Sequence, residues 1–385
     1  MGAPADRLLP VFAEVAEALE IPGRVLSAVP HGSGHINDTF AVEFAANGAS
    51  VRHVFQRINH HVFREPEKLM ENIDRVLAHL AAKARGRAQA SPLELLRSGS
   101  GAPFCRTADG NYWRAFRFIG GARSHDLVDS VELAREAARA FGAFQRDLAD
   151  LPAPRLHETI PHFHDTPWRF EALERAIAED RAGRVSGVRR EIEFARARRE
   201  DAGRLVGLLR AGRLPERITH NDTKLNNVLI SDTDGCAVCV IDLDTVMPGL
   251  VHYDFGDLVR TSACPAPEDE TNLDRVALRF EYFEAILRGY LKAAGEFLTD
   301  EERRHLPFSA ALITLEIGVR FLTDHLEGDH YFKIHRPGHN LHRARAQFRL
   351  VESIESQMDR MNRLLDRLGD GSGGRSDGAV TASAT

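Results

Sequence analysis

The chain has 385 residues, enough at roughly 150 residues per domain for two domains around a real hydrophobic core. Its 43% hydrophobic and 28% charged residues are ordinary for a globular protein, and 50 Lys+Arg against 56 Asp+Glu give a net charge of −6, which argues against a dedicated nucleic-acid binder. Four cysteines make no disulfide framework, and no run of about 18 uncharged apolar residues predicts a membrane span.

The N-terminus lacks the basic-then-apolar order of a signal peptide, and Asp6 spoils a myristoylation match, so a reducing cytoplasm is the expected home. Leu8, Phe12, Val15 and Leu19 recur at helical spacing and predict a helix over 5–20. Residues 24–30 read as a strand leading into the turn His31-Gly32-Ser33-Gly34. Phe40, Val42 and Phe44 then alternate, Asn47-Gly48 turns, and 51–58 runs back as a second strand. Residues 65–82 carry Leu69, Ile73, Val76, Leu77 and Leu80 on one helical face. Short strands are expected at 93–97, 103–107 and 111–119, with Asp109-Gly110 turning between the last two.

After Gly120-Gly121 the pattern becomes helical, over 131–149, 188–211, 273–296 and 307–368, around a β segment at 216–245. The expected organisation is an N-lobe of β-sheet plus one long helix over 1–119, a helical C-lobe over 120–368, and a Gly/Ser/Ala-rich disordered tail over 369–385. Two lobes with a joint make a cleft, the usual place for a ligand.

The chemistry concentrates at 218–245, where His220-x-Asp222-x-Lys224-x-x-Asn227 precedes Ile241-Asp242-Leu243-Asp244. The strands between them, turning at Asp232–Gly235, form a hairpin that sets Asn227 beside Asp242. Phosphoryl transfer needs such groups. Asp222 suits a base that accepts the proton of an attacking hydroxyl, and Asn227 with Asp242 offers the oxygens that Mg²⁺ prefers. Lys224 can offset charge on the moving phosphoryl group, and the spacing repeats that of the kinase catalytic loop. His220 fits a scaffold role.

Backbone N–H groups of the turn at Gly32, Ser33 and Gly34 can cap phosphates. A kinase-type sheet also places a cation on its third strand, paired to a carboxylate on the next helix. Here Gln56 holds that place by spacing and Arg57 by chemistry; only one can face the cleft, because strand side chains alternate. Glu71 is the helix carboxylate best placed to pair with it. Tyr253-Asp254-Phe255-Gly256 spells a metal-binding motif of kinases, yet Asp242 already fills that place, so Asp254 is expected to anchor a helix. Cys236 and Cys239 would point to opposite faces of a strand and make no zinc site.

With these residues in view, the sequence resembles the aminoglycoside/choline kinase-like phosphotransferases, and within them the N-acetylhexosamine 1-kinase branch, over about residues 25–360. The resemblance rests on GSGHINDTF, QRIN followed by VFREPEKLMENI, ETIPHFHDT, HNDTKLNN, IDLDTVMPG, YDFGDLVRT, and RFLTDHLEGDHYFK with HNLHRARAQ. It implies an α+β, protein-kinase-like bilobal fold, with a small antiparallel β-rich N-lobe and a larger, mainly helical C-lobe. It also implies ATP and Mg²⁺ as cofactors and a small sugar as partner, phosphorylated at its anomeric hydroxyl. Asp222 would be the base, Asn227 and Asp242 the Mg²⁺ ligands, and Asp244 an accessory carboxylate. Arg320 and Tyr331, with Asp324, would contact the sugar; the loop 162–164 is a further candidate.

Relatives of that branch can set a tryptophan near the C-terminus beside the sugar. Here both tryptophans, Trp113 and Trp168, come early, which leaves the sugar's identity open. Two rival readings stand beside this one. A kinase for an amino alcohol or aminoglycoside would use the acidic cluster at 324–329. A nucleotide-binding pseudokinase would account for the missing third-strand Lys.

Overall fold

The computed structural model describes residues 8–32, 36–46, 48–85 and 93–370. Ser33, Gly34, Asn47, the first residues of the expected N-terminal helix and the tail from 371 lie outside the described residues. Helix α1 (Leu9–Ala18) packs on a five-stranded antiparallel sheet of order β1-β2-β3-β5-β4. Its strands are β1 (Arg24–Pro30), β2 (Asp38–Ala46), β3 (Ala49–Ile58), β4 (Cys105–Arg106) and β5 (Tyr112–Arg117). Alternation puts Phe40, Phe44, Phe55 and Trp113 on one face, where they bury Phe12 of α1. The opposite face meets α2 (Pro66–Ala84), which buries Leu69, Met70, Ile73, Val76 and Leu77. The expected strand at 93–97 shrinks to one bridge, Leu95 to Phe116, and shares the edge of β5 with β4, which pairs with Tyr112 and Trp113.

The second lobe begins with the short β6 (Ala122–Arg123) and α3 (Val131–Leu148), whose N-cap Ser130 accepts a hydrogen bond from the Leu133 N–H. The expected helix at 188–211 is three pieces, α5 (Arg189–Arg196), α6 (Arg199–Ala202) and α7 (Arg204–Arg210), broken at Arg198 and Gly203. Glycine is a weak helix former, and the breaks let Ile192, Ala202 and Leu205 face one core. An unforeseen helix, α4 (Thr166–Glu179), precedes them. Asp165 caps it by accepting from the Trp168 N–H, and Pro167 sits in its first turn, so the start signal was in the sequence.

Strands β7 (Arg217–Thr219), β8 (Val228–Ser231), β9 (Ala237–Val240) and β10 (Met247–Gly249) then lead to α8 (Val251–Ser262). The remaining helices are α9 (Phe280–Ala294), α10 (Asp300–Arg304), α11 (Leu306–Glu327) and α12 (His339–Asp370). The helix expected from 273 starts only at Phe280, after a 3₁₀ turn at Leu273–Arg275 capped by Asn272. Helix α11 is long and apolar enough to cross a membrane, but 94% of its most apolar window is buried, and it is the central core helix. Gly256 of α8 allows its close approach, since a Cβ there would sit 2.4 Å from the Ser309 carbonyl oxygen.

Candidate active site

The loop after β7 is held in an unfavourable shape by its surroundings. Asn221 has a left-handed backbone, φ +65°. Its amide donates to the carbonyls of Thr219 (3.2 Å) and Thr245 (2.8 Å), and its oxygen accepts from the Thr219 hydroxyl (2.9 Å). Below it, the buried Asp254 carboxylate accepts from the N–H groups of His220 (2.9 Å) and Asn221 (2.7 Å) and from the Gln145 amide (2.6 Å). Asp254 is thus the anchor of the loop. His220 accepts at Nδ1 from the Asp222 N–H (3.3 Å), which leaves Nε2–H to donate to the Ile241 carbonyl (2.9 Å). Its ring is fully buried, edge-on to Phe141 and Phe144.

This frame presents Asp222 to the cleft. Lys224 Nζ lies 2.9 Å from Asp222 Oδ2. Burial pushes the Asp222 carboxyl up, but the Lys224 charge and hydrogen bond outweigh it and hold the carboxyl below its usual range. Lys224 is raised in turn: burial opposes its charge, and Asp222, Asp242 and Asp257 more than restore it. The hairpin forms as its spacing predicts. Val228 pairs with Val240, the Ile241 N–H donates to the Asn227 carbonyl (2.9 Å), and Asn227 and Asp242 therefore end side by side. Asn227 Nδ2 donates to the Asp222 carbonyl (2.8 Å) and carboxylate (3.3 Å), which leaves its amide oxygen without a hydrogen bond among the described residues.

Asp242 is also left-handed, φ +60°. Burial, Asp244 and Asp222 push its carboxyl up to about 6, against the opposing pull of Lys224 and Arg114. Carboxylates crowded this closely and an amide oxygen fit a hard divalent cation, which would relieve the repulsion. Among the described residues no group of three or more His, Cys, Asp and Glu side chains could hold a metal alone.

The sheet side departs from expectation. Gln56 faces the cleft side with Ile58, and Arg57 lies on the other face, pairing with Asp38 near the surface. Glu71 pairs with neither: it is half-exposed and bonds His157 Nε2 (2.9 Å). The next residue, the buried Asn72, instead ties α2 to the segment after Asp242, donating to the carbonyls of His157 (2.8 Å) and Val246 (3.2 Å). The cation that does face this side is Arg114 of β5, which cross-strand register sets opposite Gln56. Gln56 Oε1 accepts from its Nε (2.9 Å), and its Nη1 lies 2.5 Å from Asp244 Oδ1. Asp244 Oδ2 accepts from the Asn37 amide at the end of the glycine turn. Asp244 therefore ties the lobes from the sheet side, with Oδ1 meeting the Arg114 guanidinium as an ion pair and making no hydrogen bond among the described residues. Gly32 stands at the start of that turn with φ +77°.

On the far side of the loop, His164 bridges Glu316 of α11 (2.8 Å) and the Asn221 carbonyl (3.1 Å). Burial pushes Glu316 up, but His164, Arg320 and Arg169 together hold it below the usual carboxylate range. Arg320 is 8% exposed, and its guanidinium lies over the rings of Phe163 (4.9 Å) and Phe332 (5.7 Å). It has no hydrogen bond or ion pair among the described residues. Tyr331 is exposed in the turn after α11, with its ring against Phe332. Asp324 is differently employed. Its carboxylate accepts from the N–H groups of His330, Tyr331 and Phe332 and from the Asn340 amide, all within 2.8–2.9 Å. It shapes the loop that carries Tyr331, with neither oxygen free for a ligand and no pairing to Arg320.

The Asp222 carboxylate, the Asn227 amide oxygen beside Asp242, and the nearly buried Arg320 guanidinium thus stand around the framework of one loop. Several solved structures share the fold. An aminoglycoside phosphotransferase from Alicyclobacillus acidocaldarius subsp. acidocaldarius DSM 446 aligns over 92% of this chain and 96% of its own, with TM-score 0.56 and 13% identity. A microcompartment-associated aminopropanol kinase aligns over 92% and 98%, with TM-score 0.55 and 16% identity. A spectinomycin phosphotransferase in complex with ADP and spectinomycin aligns over 93% and 99%, with TM-score 0.54 and 12% identity. At such identities these likenesses speak of the protein-kinase-like fold. Sequence carries the assignment further, because the pattern of one family matches residues 27–306, from β1 across the catalytic loop to the start of α11: the chain belongs to the phosphotransferase enzyme family.

Proposed function

We propose that this phosphotransferase moves the γ-phosphoryl group of ATP to the anomeric hydroxyl of a hexosamine-type sugar. Adenine would lie near the joint at 118–121, and the phosphates below the glycine turn. Asn227 and Asp242 would hold Mg²⁺, whose contribution is to neutralise charge on the β- and γ-phosphates. Asp222 aligns the sugar hydroxyl and accepts its proton as the new O–P bond forms and the bond from the γ-phosphorus to the ADP oxygen breaks. Its depressed pKa fits an orienting base that takes the proton late, in a loose transition state. Lys224 offsets charge beside it.

The observation that carries the sugar reading is the acceptor side. Arg320 offers a nearly buried guanidinium, near Glu316 but with no hydrogen bond or ion pair among the described residues, framed by Phe163 and Phe332, a setting suited to hydroxyl or amide oxygens and a C–H face. A polycationic antibiotic needs several free carboxylates, yet Asp324 is saturated by four donors and Asp329 pairs with Arg184 and Asn340, which leaves only the exposed Glu327 of the 324–329 cluster. Arg169, also close to Arg320, adds to the positive field. A panel of N-acetylhexosamines, hexosamines, amino alcohols and aminoglycosides, read by ADP release, tests the assignment. Release is expected with a hexosamine-type sugar. Release only with an amino alcohol or aminoglycoside would replace the substrate class, and Mg·ATP binding with no release on any acceptor would make the protein a binding module.

A further inference from the structure

The third-strand cation and its helix carboxylate, which a kinase-type sheet uses to face the phosphates, are both displaced here. Gln56 stands at the strand position, and Glu71 bonds His157. Yet one strongly charged side chain is buried between the sheet and the catalytic loop. Arg114 is 1% exposed. Its guanidinium touches Gln56 Oε1, the sulfur of Met70 on α2 (3.8 Å), the ring of Phe116 and the carboxylate of Asp244. A guanidinium is a permanent cation in proteins, so the field of Arg114 is a fixed part of this region.

We propose that Arg114 is the phosphate-side cation of the N-lobe and that Asp244 is its gauge: the Arg114–Asp244 pair, closed by Asn37, sets the charge of the nucleotide site. Around Asp242 the charged neighbours are Asp222 and Asp244 against Lys224 and Arg114. Asp242 itself therefore tips the group to a net negative charge, which favours a divalent cation. Removing Arg114 makes the site more negative, whereas neutralising Asp244 makes it more positive. The two changes must then move a cation and an anion in opposite directions. A merely structural pair would weaken both ligands together, through loosened packing.

This inference rests on the cleft being a nucleotide site, and the experiment separates the two. Binding of Mg·ADP to the unaltered protein is measured first by calorimetry; no binding would overturn both the site and the inference. The variants Arg114→Met, Arg114→Lys, Asp244→Asn and the double Arg114→Met/Asp244→Asn are then titrated with ADP in EDTA, and with Mn²⁺ alone by electron paramagnetic resonance. Arg114→Met is expected to weaken metal-free ADP roughly tenfold and to tighten Mn²⁺, the size of one partly buried charge interaction. Asp244→Asn should tighten metal-free ADP and weaken Mn²⁺, and the double variant should fall within roughly threefold of the parent, as charge compensation requires. Arg114→Lys should keep ADP affinity. If Arg114→Met does not fold, the opposite-signed response of Asp244→Asn and the retained affinity of Arg114→Lys still decide. ADP and Mn²⁺ affinities that move together, or stay unchanged, in these variants would overturn the proposal.

Discussion

Asp222 and Asp242 are carboxylates twenty residues apart whose surroundings push them in opposite directions. Lys224 keeps the first ionised, while burial and two neighbouring carboxylates raise the second to about 6. Replacing Asp222 by Asn should leave Mg·ADP affinity within about threefold and cut kcat by roughly 10³ or more, in line with the loss of a positioned base and its charge. Single-turnover phosphoryl transfer checks it. For Asp242 the folded protein holds a proton more tightly than the unfolded chain does. Ionisation therefore costs the ligand-free protein stability as pH rises through about 6. Asp242→Asn should raise the melting temperature at pH 7.5, by an amount that shrinks as pH falls toward 4, while abolishing Mg²⁺-dependent nucleotide binding. A lowered melting temperature at pH 7.5 would contradict the crowding described here. These residues were legible because their spacing is local. Arg114 was not, since its place opposite Gln56 depends on the register of two strands far apart in sequence.

At the scale of elements, the catalytic loop is shaped by helices that the motif does not include. Asp254 of α8 holds two loop N–H groups, and Glu316 of α11 holds His164 against the Asn221 carbonyl. Asp254→Ala would leave buried donors unsatisfied beside a left-handed Asn221. It should cost about 2–4 kcal/mol of stability by denaturant melts, along with most activity. The hairpin and α2 could be read from turn residues and apolar period. The anchor role of Asp254 was legible too, because Asp242 already filled the place expected of a metal-binding carboxylate. The breaks in 188–211 were not legible, since the helical period alone does not show where Ile192, Ala202 and Leu205 must turn toward one core. Asp324 misled for a related reason. Its position after an arginine in the motif suggests a ligand contact, while the folded loop needs its carboxylate to cap three successive N–H groups.

Across the whole molecule, the lobes meet through polar ties as well as apolar packing. Arg114 and Asn37 reach Asp244, and Asn72 reaches Val246, so the sheet and α2 are both keyed to the loop that follows the hairpin. The side proposed for the acceptor is assembled from α11, the 158–166 loop and the turn after α11, and Arg320 lies there over two aromatic rings with no hydrogen bond or ion pair among the described residues. Arg320→Met should raise KM for the acceptor roughly tenfold or more and leave the KM for ATP within about twofold, as expected for a lost charged hydrogen bond at one end of the cleft. Initial-rate kinetics with each substrate varied in turn separate the two.

The most direct measurement is phosphorus NMR of a reaction holding ATP, Mg²⁺ and a pool of N-acetylhexosamines, run beside the Asp222→Asn variant. ADP and a sugar 1-phosphate signal coupled to an anomeric proton should build up with the unaltered protein and not with the variant. Phosphate arriving on another carbon, equal transfer by both proteins, or no ester at all would contradict the account.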